Sequence, residues 1–113
     1  MAGKSLDSAI AVLVDRIRET DEFKNYSRCI EEVKYDEEAM DKINRLREIS
    51  LRIQQYDEDR LNREAEEIEK TIENLCIDSR VSDFMQAEVD FSRLYQRITE
   101  AIIGLIDSEI EEG

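Results

Sequence analysis

The sequence predicts an all-α protein built as an elongated antiparallel helical bundle, and three observations carry that prediction. Its 113 residues include no proline and three glycines, so the strongest helix breakers are nearly absent from a chain rich in Glu, Leu, Ile, Arg and Ala. Apolar residues recur at steps of three and four along most of its length, the period of a helix with one buried face. The last third, Val81 to Ile110, carries one uninterrupted pattern of this kind, about 30 residues or roughly 45 Å of helix. A compact chain of this size has a radius of gyration of about 13 Å, so such a rod predicts an extended and oligomeric molecule.

A single domain, 1–113, is expected, with helices near 5–19, 21–35, 37–56, 59–77 and 80–110. Ser5 is positioned to cap the first, whose Leu6, Ala9, Ile10, Leu13, Val14 and Ile17 share a face. Thr20 or Asp21 opens the second, in which Phe23, Tyr26, Ile30 and Val33 form the stripe and Asp21 and Glu22 suit the positive end of the helix dipole. Asp36 caps the third, with Ala39, Met40, Ile43, Leu46, Ile49 and Ile53 inward and Glu38–Lys42, Asp41–Arg45 and Glu48–Arg52 four apart in acid-first order. Leu61, Ala65, Ile68, Ile72 and Leu75 then form a heptad seam.

Between these two seams the register slips by one residue, and Asp57 and Asp59 can both cap, which predicts a helical hairpin with a tight tip at Tyr56–Arg60. A continuous helix with a skip residue is the alternative that the lack of glycine and proline leaves open. Asp78 or Ser79 caps the final rod, and the acidic end, Asp107 to Gly113, is expected to fray. Along that rod two adjacent apolar rows widen the stripe beyond what one neighbour covers. A dimer interface is expected to draw on Phe84, Phe91, Leu94, Tyr95, Ile98, Ile102 and Leu105.

Charge and composition narrow the function. A formal charge of −13 disfavours direct binding to nucleic acid or to an anionic membrane. Ser8 to Val14, between Asp7 and Asp15, is too short for a signal or a membrane span, so a cytoplasmic protein with reduced thiols at Cys29 and Cys76 is expected. The absence of histidine excludes imidazole catalysis, Ser-His and Cys-His nucleophiles and His-ligated zinc. Glu64, Glu66, Glu67, Glu69 and Glu73 lack the Glu-x-x-His partners of a di-iron bundle and read as a solvated face. Two cysteines without C-x-x-C spacing read as small buried hydrophobes rather than cluster ligands. No enzyme and no cofactor is expected.

The succession Asp21-Glu22-Phe23-Lys24-Asn25-Tyr26, Asp36-Glu37-Glu38-Ala39, Leu51-Arg52-Ile53-Gln54-Gln55 and Val81-Ser82-Asp83-Phe84-Met85-Gln86-Ala87-Glu88 resembles the YlbF/YmcA family of small helical bacterial proteins, over about 20–106. The resemblance implies a cytoplasmic, non-enzymatic helical oligomer. Its best-known members act with a third protein on the endoribonuclease RNase Y and affect messenger maturation, competence, sporulation and biofilm formation; others have no assigned role. Many relatives carry a longer, glycine-bearing hinge between the third and fourth helices, where this chain has only Tyr56–Arg60. The well-studied members also have cysteines near the C-terminus implicated in iron–sulfur binding, and this tail has none.

A regulatory or scaffolding role through protein–protein contacts follows, with direct RNA binding and a metal-binding helical protein as the alternatives. From Lys42 to Arg63 six basic residues face four acidic ones, a local charge of +2 against −15 for the remainder. An acidic or phosphorylated partner is therefore expected at the hairpin tip, on Arg52, Gln54, Gln55, Tyr56, Arg60 and Arg63.

Overall fold

Short side-chain caps set the boundaries of the helices. The computed structural model describes the backbone of residues 2–112 and the side chains of 5–111. It comprises α1 (Ala2–Arg18), α2 (Asp21–Val33), α3 (Glu37–Gln55), α4 (Glu58–Leu75) and α5 (Ser79–Glu112), with no strand among the described residues. The Thr20 hydroxyl accepts from the Phe23 N–H at 3.2 Å, the Asp36 carboxylate from Ala39 N–H at 3.1 Å and the Asp57 carboxylate from Arg60 N–H at 2.8 Å. Asp78 does the same for α5, accepting from Arg80 N–H at 3.0 Å. Each satisfies a donor that the first helical turn leaves unpaired.

One expectation changes and one alternative is decided. Ser5 lies inside α1 and caps nothing, because Ala2, Gly3 and Lys4 ahead of it contain no proline and a helical glycine costs only about 1 kcal/mol. The acidic tail, Asp107 to Gly113, is helical as far as Glu112, with Gly113 outside the described residues. The continuous-helix alternative is overturned: Tyr56 adopts extended backbone, φ −81° and ψ 140°, and Asp57 restarts the helix while Asp59 sits within it. Residues 56 and 57 alone form the hairpin tip, which accounts for the one-residue slip between the seams of α3 and α4.

The chain divides into two units. The hairpin unit, Arg28–Gln86, holds the core: Cys29, Val33, Ala39, Ile43, Leu46, Val81 and Phe84 are buried, with Ile43, Val33 and Val81 fully inaccessible. Burying one such aliphatic side chain contributes about 1.5–3 kcal/mol. Arg80 donates to Asp36 at 2.7 Å and to Asp78 at 3.0 Å, so one guanidinium joins the N-terminal caps of α3 and α5. The backbone N–H of Ala39, then Arg80, holds the Asp36 carboxyl below its ordinary range, and Arg80 does so for Asp78. Arg47 lies over the Phe84 ring, 5.4 Å from its centroid. Farther along the hairpin the covering stops: Ile49, Ile53, Leu61, Ile68, Ile72 and Leu75 are half-buried, and α4 has no buried residue.

The terminal unit, Met1–Ser27 with Ala87–Gly113, is built differently. Phe91 stacks on Tyr26, with centroids 5.3 Å apart, and meets Phe23 at 5.9 Å, while Arg97 reaches Glu22 at 3.3 Å. Ala87 is its one buried residue among those described. No described helix is long and apolar enough to cross a membrane.

Candidate functional site

Exposed apolar side chains dominate the terminal unit. On α1, Leu6, Ile10, Leu13 and Val14 repeat at helical spacing and are all exposed. On α5, Tyr95, Ile102, Ile103, Leu105, Ile106 and Ile110 are exposed, Leu105 to 72% and Ile110 to 71%. Soluble monomers rarely present contiguous apolar area of this kind. The residues expected at an interface separate along the helix: Phe84 is only 3% exposed within the hairpin unit, Phe91, Leu94 and Ile98 are half-buried, and Tyr95, Ile102 and Leu105 are open. A Cβ at Gly104 would meet nothing within 4 Å among the described residues, which marks open space beside this position.

The residues expected at the tip come together around the turn. Arg60 lies 4.0 Å from the Tyr56 ring centroid and donates to Glu64 at 2.8 Å, and Arg63 reaches the Asp59 carbonyl at 3.4 Å. Lys42 and Arg45, earlier on α3, pair with Glu38 and Asp41. Arg52 is exposed, with no ion pair among the described residues, beside exposed Gln54 and Gln55. It edges a small cavity of about 190 Å³ with Ile49, Tyr56 and Ile68.

Two features were not legible as sites beforehand. The other flank of the hairpin carries a groove of about 510 Å³, floored by Ile53, Leu61, Ala65, Ile68 and Ile72 and edged by Glu69 and Glu73. The signal was the heptad seam of α4, but periodicity cannot say that α3 leaves one side of it open. Burial pushes the Cys29 thiol up, with Arg28 pulling against it, so the reactive thiolate is disfavoured; Cys76 is half-buried at the end of α4. Among the described residues no group of three or more metal-ligating side chains converges.

The sequence model of the family described as "Control of competence regulator ComK, YlbF/YmcA" matches residues 7–107. The chain is also 31% identical over 102 residues to the UPF0342 protein SSP0954 of Staphylococcus saprophyticus, an alignment covering 84% of this chain and 86% of that protein. No solved structure matches.

Proposed function

This chain belongs to the YlbF/YmcA family of proteins that control the competence regulator ComK, and from that premise we propose a non-enzymatic regulatory or scaffolding protein that works through protein–protein contacts as a homo-oligomer, most simply a dimer. The observation that carries the reading is the terminal unit, with exposed apolar rows on α1 and on α5 beyond Ile98. The proposed interface uses Phe91, Leu94, Tyr95, Ile98, Ile102 and Leu105 and leaves out Phe84, which is buried within the hairpin unit.

Light scattering across a concentration series tests it. The native protein is expected to be a dimer or larger at micromolar concentration, and Ile102→Asp with Leu105→Asp a folded monomer. A native monomer under the same conditions would refute the assembly.

The proposed site of action is the cytoplasm, and the proposed target, on the family's precedent, is RNase Y-dependent messenger processing. The hairpin tip is the proposed surface for an acidic or phosphorylated partner. The guanidinium of Arg52, exposed and without an ion pair among the described residues, supports this, since arginine binds carboxylate or phosphate through two parallel donors. Arg52→Glu with Arg60→Glu should abolish capture of RNase Y-associated proteins in a pull-down while leaving helicity and oligomer size unchanged. Capture that persists would remove the tip from the contact surface.

A further inference from the structure

We propose that the groove along the outer flank of the α3–α4 hairpin receives an amphipathic helix with a basic edge, supplied by another protein. The floor is a heptad row, Leu61, Ala65, Ile68 and Ile72, completed by Ile53 from α3. None of these residues is buried, although every one stands at a seam position. Two helices alone leave one side of such a seam in water; a third helix laid along it would seat its own apolar residues between those knobs. The groove, about 510 Å³, is open to solvent, and its lining on α4 runs from Leu61 to Glu73, about three turns of helix.

Its charge selects the occupant. Helix α4 carries seven acidic and three basic residues, a net −4. Glu64 and Glu66 are paired with Arg60 and Lys70, but Glu69 and Glu73, the two on the rim of the groove, have no ion pair among the described residues. Unpaired carboxylates beside an apolar floor fit lysines or arginines flanking an apolar stripe. The exposed apolar rows of a second copy, on α1 and on α5 beyond Ile98, do not meet that need. The apolar end of α5 is flanked by Glu100, Asp107, Glu109 and Glu111, and the arginines of α1, Arg16 and Arg18, are already paired with Glu19 and Asp15. The occupant is therefore a foreign helix of basic character.

The probe is a labelled peptide of about 20 residues, roughly 30 Å as a helix, with leucine at the a and d positions and lysine at e and g. Fluorescence anisotropy on the full-length protein is expected to show saturable binding that weakens as salt rises from about 0.1 M to about 1 M, over which the screening length falls from roughly 10 Å to 3 Å. A scrambled peptide of the same composition and one with glutamate at e and g should each bind at least about tenfold more weakly. E69K with E73K should lose at least about tenfold in affinity with unchanged helicity, as should Ala65→Glu, which blocks the floor at an exposed position. Arg52→Glu with Arg60→Glu, which adds negative charge to the same hairpin, should not weaken it.

Equal binding of the scrambled peptide, full affinity in E69K/E73K, or no binding at all would overturn the proposal. A change of oligomer size in E69K/E73K or Ala65→Glu would assign the groove to a second copy and overturn it as well. Because the proposed self-association rests on α1 and on α5 from Phe91 to Leu105, neither of which lines the groove, either result leaves that reading to its own test.

Discussion

The hairpin unit and the terminal unit are written in the same helical alphabet and end in opposite states. In the hairpin unit, Val33, Ile43, Val81 and Phe84 are sealed from water and one arginine ties two helix caps together. In the terminal unit the equivalent stripes, Ile10, Leu13 and Val14 on α1 and Ile102, Leu105 and Ile106 on α5, stay exposed, and ring contacts at Phe91 make the main join. The difference teaches that an apolar face at the helical period records a need for cover without saying who supplies it. One unit meets the need from its own chain; the other presents it outward.

The comparison breaks most visibly at its two extremes. Ile43→Ala should destabilise the protein by about 2–5 kcal/mol in urea unfolding, through lost transfer energy and a residual cavity. The same truncation at Ile106, measured on the Ile102→Asp, Leu105→Asp monomer, should fall within about 0.5 kcal/mol. Equal effects at the two positions would mean that the units do not differ in self-sufficiency. Next comes Phe91→Ala, about 2 kcal/mol because its ring is half-buried between Phe23 and Tyr26. Near-ultraviolet circular dichroism should lose the tyrosine signal of Tyr26 along with it.

Gly104 sharpens the reading of the exposed face. With no neighbour for a Cβ, Gly104→Ala should stabilise α5 by about 1 kcal/mol through helix propensity, read as a higher Tm. Loss of assembly in that variant would instead reveal a second copy approaching closely at this position.

The smallest effect belongs to the Arg80 joint. Asp36 and Asp78 have carboxyls held below the ordinary range, so their stabilisation is fully present above the unfolded value of about 3.9 and is lost as pH falls through the lowered native values. Arg80→Met should therefore be less stable than the native protein at neutral pH and converge with it in acid. A stability gap that persists unchanged well below pH 4, by about a unit or more, would show that the guanidinium acts by packing rather than charge.

Much of the fold was legible because its signals are local. Asp36, Asp57 and Asp78 cap within two or three residues of themselves, and Thr20 opens α2 in the same way. The tip was legible only as two topologies, since a one-residue slip suits both a turn and a skip; the extended backbone of Tyr56 decides between them. The candidate surfaces were half legible. Tyr95, Ile102 and Leu105 are exposed as an interface requires, but Phe84, of the same chemistry on the same helix, is buried. Nothing in its neighbours' identities announces that α5 is covered at one end and bare at the other.

Sequence alone determined that this is a five-helix, proline-free, acidic chain of YlbF/YmcA type, without a histidine to catalyse or ligate. Those properties depend on composition, on the 3.6-residue period and on side chains reaching the backbone a turn away. Tertiary structure decided which rows are covered, which carboxylates are paired and where the grooves lie. Arg80 meets Asp36 across 44 residues, and Phe91 meets Phe23 from a different helix. Such contacts are chosen by the packing of whole helices, and apolar residues that look alike along a chain compete for them on equal terms.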